Sequence, residues 1–185
     1  MNLSRIHQDL RKLHSHQDLF EMVVNAPFQH VLHTTELGLG VVVLLLVNKK
    51  AGTLDRIALS DTEFARGAVK YSVKPFHEIK IPLTYSKNLL IKAIESHLPQ
   101  RTEDWRFMFM PVLTAEEARF NQAGAGIASS VIYPLEYKDH EVFGAMIFSY
   151  YEPLSNLGPE HDTFMQAYVN IAADTLFKKN AVSSG

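Results

Sequence analysis

Apolar positions recur at helical spacing from Leu3 to Thr35. Ile6, Leu10 and Leu13 repeat at i, i+4 and i+7, and Phe20, Val23, Val24, Val31 and Leu32 continue the stripe. Ser15, three residues before Asp18, has the spacing of a capping box, which predicts two helices in series. Pro27 is expected to kink or interrupt the second, because it removes a backbone donor and its ring crowds the preceding turn. Gly38 and Gly40 close this region. Val41 to Val47 is then a short, continuous, valine-rich run, the pattern of a strand covered on both faces.

Asn48-Lys49-Lys50-Ala51-Gly52 supplies turn chemistry, and Leu54 to Ser60 is the returning strand of an antiparallel hairpin. The pattern is looser from Asp61 to Ser86. Within it Phe76, Ile79 and Ile81 alternate with polar neighbours as in a short half-exposed strand closed by Pro82. Leu89, Leu90, Ala93, Ile94 and His97 return to helical spacing, and Pro99 stops that helix. Trp105 to Met110 places bulky apolar groups on a connecting segment. Thr114 is suited to cap a helix over Ala115 to Gln122, with Glu116 and Glu117 in its first turn. Ile127 to Leu135 and Val142 to Tyr151 are the clearest strands, and the polar Lys138-Asp139-His140-Glu141 turn between them demands antiparallel pairing. Gly158-Pro159 opens a final helix with Glu160 and Asp162 at its start and Phe164, Tyr168, Ile171 and Leu176 along one stripe.

Strands joined by short turns exclude a doubly wound parallel sheet. The economical α+β arrangement is a central antiparallel sheet with helices on one face and crossing loops on the other. At 185 residues the chain suits one well-cored domain. Apolar residues at 46% and charged residues at 21% are those of a globular protein. A formal net charge of −2, with basic pairs such as Lys49-Lys50 and Lys178-Lys179 that never grow into a stripe, argues against nucleic acid or an anionic membrane as partner. The run Val41 to Val47 is too short to span a bilayer, and no signal-peptide core follows Met1. With no cysteine anywhere, disulfides, thiolate metal sites and thiol nucleophiles are excluded together. A cytoplasmic location follows as the expectation.

The stretch from Ala118 to Leu135, ARFNQAGAGIASSVIYPL, resembles the helix–glycine–strand segment of GAF domains, which ends in a Pro-Leu pair. VFGAMIFS, from Val142 to Ser149, is similar to the family's next strand, and PEHDTF, from Pro159 to Phe164, to the acidic start of its last helix. Ile81-Pro82 and the Leu89 to Pro99 helix fall in the same order. The resemblance spans nearly the whole chain. It implies a six-stranded antiparallel sheet with the N- and C-terminal helices on one face and a ligand pocket on the other. It also implies regulatory binding of a small molecule, often in a dimer. Residues 1–36 are read accordingly as a helical segment for packing or dimerisation, and 37–185 as the GAF-like domain.

The resemblance does not name the ligand or a cofactor. Bilin receptors of the family attach their chromophore through cysteine, and its free methionine sulfoxide reductases use cysteine chemistry; neither is possible here. Cyclic-nucleotide binders carry Asn-Lys after the second hairpin, where this chain reads Tyr150-Tyr151-Glu152-Pro153, and Asn48-Lys49 lies in the wrong hairpin. Gly124-Ala125-Gly126 precedes a strand instead of opening a helix after one, so it is not a dinucleotide loop. Nine histidines, including His14, His16, His30 and His33, come without an HExxH or comparable carboxylate pattern. His77 and His97 are candidates for polar contacts at the pocket rim. No G-x-S-x-G elbow accompanies Ser129 or Ser130. The chain is expected to be a sensor, not an enzyme.

Alternation assigns the strand faces. Ser130 and Ile132 share one side, against Ile127, Val131 and Leu135 on the other. Ala145, Ile147 and Ser149 oppose Met146, Phe148 and Tyr150. By resemblance to tetrapyrrole-binding members, the small set faces the pocket. The expected lining is Ser60, Phe76, Ile79, Trp105, Ser130, Ile132, Ala145, Ile147 and Ser149, with the serine hydroxyls orienting a small molecule of unknown identity. The terminal helices would form a homodimer and pass a shift to a signalling partner. The alternative is a dimerisation module whose pocket is plugged by side chains such as Phe76 and Trp105.

Overall fold

The computed structural model describes residues 3–12, 15–30, 38–137 and 141–179. Two helices lead, α1 (Leu3–Lys12) and α2 (His16–His30). They part at Ser15, whose Oγ accepts the Asp18 N–H at 3.0 Å, so the serine caps the second helix as its spacing predicts. The expected stripe residues Leu13, Val31 and Leu32 and the turn residues 138–140 lie outside the described residues.

Pro27 sits inside α2 without ending it. A proline there withdraws the N–H that the carbonyl four residues back would accept. That carbonyl belongs to Val23, and the buried Tyr168 hydroxyl of the last helix donates to it instead. The interruption expected at Pro27 is thus repaired from outside the helix. Tyr168→Phe is expected to cost about 1–3 kcal/mol by leaving the Val23 carbonyl unsatisfied in the core, read as a fall in the urea midpoint.

The sheet has six antiparallel strands in the order β3-β2-β1-β6-β5-β4. They are β1 (Leu39–Asn48), β2 (Thr53–Leu59), β3 (Lys80–Pro82), β4 (Gln100–Thr102), β5 (Ser129–Leu135) and β6 (Gly144–Tyr150). The hairpins β1–β2 and β5–β6 are those the turn chemistry predicts, and β1 lies against β6 at the centre. One face of the sheet buries Val42, Leu44, Tyr133, Met146, Phe148 and Tyr150 under α1, α2 and the last helix, α7 (Pro159–Lys178). The other buries Val43, Leu45, Ile132, Ala145 and Ile147 under four shorter helices. These are α3 (Glu63–Lys70), α4 (Leu89–Ser96), α5 (Arg106–Phe109) and α6 (Ala115–Gly124).

The strand faces follow alternation, with one correction. Ile127 packs with the short helices and not with Val131, because Gly126 at φ +67° turns the chain before β5 begins. Four elements differ from the sequence reading, the first being α5, a short helix where Trp105 to Met110 reads as a connecting segment. Phe76 to Glu78 forms a single 3-10 turn, closed by Glu78 N–H to the Pro75 carbonyl and Ile79 N–H to the Phe76 carbonyl, so the strand is only β3. The loosely patterned stretch holds α3, whose start is marked by Thr62: its Oγ accepts the Ala65 N–H and donates to the Gly40 carbonyl. β4 is too short to carry an alternation and is held by pairing with β5.

Candidate functional site

A cavity opens between the sheet and the short helices. Val41, Val43, Leu59 and Ile147 form its floor, and Ala68, Val69, Phe76, Trp105 and Phe109 its apolar walls. It measures about 420 Å3 out to its mouth, of which about 20 Å3 can hold the centre of a water-sized atom. The aromatic side chains therefore fill most of the space, and what remains is narrow.

Polar groups enter this apolar setting at few points. Trp105 Nε1 donates to Ser130 Oγ at 3.0 Å, and Ser130 Oγ lies 2.7 Å from Ser149 Oγ. Both serines are buried. Ser149 is the acceptor within reach of the Ser130 proton, and leaving that proton unpaired in the core would carry a desolvation cost. The chain of donors therefore runs from Trp105 through Ser130 to Ser149. Ser149 itself lines the cavity.

Arg56 is the second polar lining residue of consequence. Only 8% of it is exposed, yet among the described residues its guanidinium meets no carboxylate, and Nε has no hydrogen-bond partner. It lies between two rings, with Cζ 4.3 Å from the centroid of Phe109 and 5.2 Å from that of Phe76. Burial lowers its pKa to about 9. Among the described residues no aspartate or glutamate lines the cavity.

A β-bulge puts Arg56 there. Leu44 pairs with Ala58 but Leu45 pairs with Arg56, so Ile57 is an extra residue in β2. Before the bulge Leu54 and Arg56 face the short helices; beyond it Leu59 does, and Ala58 turns to the long helices. Unbroken alternation would instead align Arg56 with Ala58 and Ser60. Ser60 does not line the cavity; its Oγ accepts the Val42 N–H at 3.0 Å.

Of the residues expected from sequence, the structure brings Phe76, Trp105, Ile147 and Ser149 to the cavity wall, with Ser130 one hydrogen bond behind. Ile79, Ile132 and Ala145 lie in the same packed layer but are covered. His77 Nδ1 is 3.2 Å from the Arg56 carbonyl oxygen. His97 pairs with Glu136 at 2.9 Å and lines a separate open groove beside α7. Among the described residues no three His, Asp or Glu side chains converge as a metal site.

No family model matches the sequence, and no curated protein resembles it in sequence. Its three-dimensional structure does have counterparts. The GAF domain of an Acinetobacter phosphoenolpyruvate-protein phosphotransferase superposes with a TM-score of 0.65 at 14% identity, covering 99% of this chain and 95% of that one. The chain has the GAF fold. A phycocyanobilin-bound GAF domain from a cyanobacterial phytochrome gives 0.64 at 16% identity, over 99% and 96% of the two chains. A type II free methionine-R-sulfoxide reductase from Thermoplasma acidophilum gives 0.55 at 14% identity, over 89% and 96%. A GAF fold thus serves a chromophore-binding domain and an enzyme alike, and the function has to be argued from this chain's own cavity.

Proposed function

We propose that this GAF-fold chain is a sensory or regulatory domain that binds a small molecule in the cavity between its sheet and short helices. The observation that carries this reading is the buried, uncompensated Arg56, which places a charge in a cavity wall that is otherwise apolar or neutral. The domain binds and does not catalyse, since no nucleophile and base are paired in this cavity. Among the described residues no helix is long and apolar enough to cross a membrane, and the cysteine-free sequence suits a cytoplasmic setting.

The central strands supply a route for the signal. In β1 and β6, Val43 and Ile147 face the cavity while Val42 and Phe148 face the long helices. A ligand that prefers one spacing of these strands therefore biases the seating of α2 and α7. The terminal helices would join two copies and hand that shift to a signalling partner.

Binding only the folded state stabilises it by about 2.7 kcal/mol at a hundredfold excess over Kd. For a chain of this size that is a rise of about 5–10 °C in melting temperature. The test is a thermal-shift panel of neutral and charged metabolites, with native mass spectrometry for bound mass and subunit number. A second reading, a dimerisation module with a plugged cavity, is favoured by the narrow free space beside Phe76, Trp105 and Phe109. It requires a dimer whose melting temperature no compound moves.

A further inference from the structure

We infer that the cavity takes a small carboxylate, its head group held by the Arg56 guanidinium and the Ser149 hydroxyl, an assignment that rests on the cavity being a ligand site. Three observations converge on a monoanion. Arg56, whose Nε has no partner, and Ser149 present donors at the cavity wall, where the Ser72 hydroxyl and the Asn121 amide each already donate to a backbone carbonyl. Among the described residues no acidic side chain lines the cavity to balance the cation. A single guanidinium with one hydroxyl matches one negative charge, whereas a phosphate brings about −1.5 to −2 and asks for more donors.

The surroundings of the guanidinium select the shape of that anion. Phe76 and Phe109 both pack close to it. A planar fork of N–H groups against flat rings suits a planar acceptor that can take two parallel hydrogen bonds, which is a carboxylate. The enclosed free space is about that of one water-sized atom, so a single carboxylate oxygen fits there and the rest of the molecule has to extend towards the mouth. With Ser130 accepting from Trp105 Nε1 and donating to Ser149, the Ser149 hydroxyl is left to donate to the ligand and reinforces the same preference.

Trp105 is the single tryptophan and stands in the cavity wall, so its fluorescence reports occupancy directly. Formate, acetate and pyruvate are titrated at constant ionic strength in chloride, with acetamide as the neutral counterpart of acetate and inorganic phosphate as the competing anion. The expected result is a saturable signal and a raised melting temperature with the carboxylates, and none with acetamide, chloride or phosphate. Arg56→Met should weaken carboxylate binding by about 10–100-fold, since it removes hydrogen bonds to a charged group. Arg56→Lys, which keeps the charge and loses the fork, should fall between that variant and the wild type. Ser149→Ala should weaken binding about fivefold. Near-UV circular dichroism establishes that each variant retains its core.

Carboxylate affinity within about twofold of wild type in Arg56→Met, or acetamide binding as tightly as acetate, overturns the inference. So does preference for phosphate. If neutral compounds bind and carboxylates do not, the sensory reading stands and the carboxylate assignment fails. If no compound of either kind binds, both fail.

Discussion

Arg56→Met is expected to melt at a higher temperature than the wild type when no ligand is present. A buried cation without a counter-ion pays a desolvation penalty that its two aromatic neighbours offset only in part. Methionine retraces the inner part of the side chain, carries no charge, and has a thioether suited to aromatic neighbours. The gain should be about 1–3 kcal/mol, or about 2–4 °C for each kcal/mol in a chain of this size. The same substitution removes the anchor for a carboxylate, so stability rises as binding is lost. Such opposition is the mark of a residue retained for function.

The pH dependence gives an independent check. The folded-state pKa of Arg56 is about 9, below the 12.5 of the free side chain. Between these values the unfolded chain binds more protons than the folded one, so stability from this group rises with pH. The penalty is therefore fully present below pH 9 and is relieved as pH climbs through it. The difference in unfolding free energy between Arg56→Met and wild type should be constant from pH 6 to 8 and shrink by pH 10.5. Other titrations cancel in that difference. An equal gap at every pH would show that charge burial is not its source.

Gly144→Ala is expected to destabilise the centre of the sheet strongly. Gly144 sits between Leu46 of β1 and Leu135 of β5. A Cβ there would stand 2.3 Å from the Leu45 carbonyl oxygen, 3.0 Å from a Leu46 methyl and 3.3 Å from a Leu135 methyl. The first is backbone and cannot swing aside. Room for a methyl group comes only from separating β1 and β6, the central pair on which both packed layers rest. The cost should be about 2–4 kcal/mol, read in urea as a lowered midpoint with an unchanged slope. Gly52→Ala is the control for glycine removal without a clash, because no atom lies within 4 Å of its Cβ position. Its positive φ of +67° should cost only about 1–2 kcal/mol.

Much of the architecture was legible in the chain because its causes are local. Ser15, Thr114 and Gly158-Pro159 announce helix starts, since a cap is satisfied within three residues of itself. Asn48 makes its turn through contacts no further away than Ala51 and Gly52. The two faces of β6 follow from alternation alone, as Ala145 and Ile147 against Met146 and Phe148. Local pattern carried no further where an element was brief or irregular. Phe76 to Glu78 alternates like a strand yet coils into a turn, and Gln100 to Thr102 is a strand only because β5 lies beside it.

The pocket residues divide in the same way. Trp105, Ser130, Ile147 and Ser149 could be placed from sequence, because regular strands and an aromatic-rich segment put them on one side. Arg56 could not. Its direction depends on the bulge at Ile57, which exists only in register against Leu44 and Leu45, and a single inserted residue reverses every face beyond it. Its isolation is likewise a property of space, since among the described residues no aspartate or glutamate lines the cavity. Tyr168 answers the carbonyl that Pro27 leaves open across 145 positions, a pairing no sequence window contains. The sequence by itself determined the elements, their hairpins and the two-sided sheet, because those arise from neighbours along the chain. Only the tertiary structure decided where an unpaired charge would be buried, because that depends on which groups the folded chain keeps away from it.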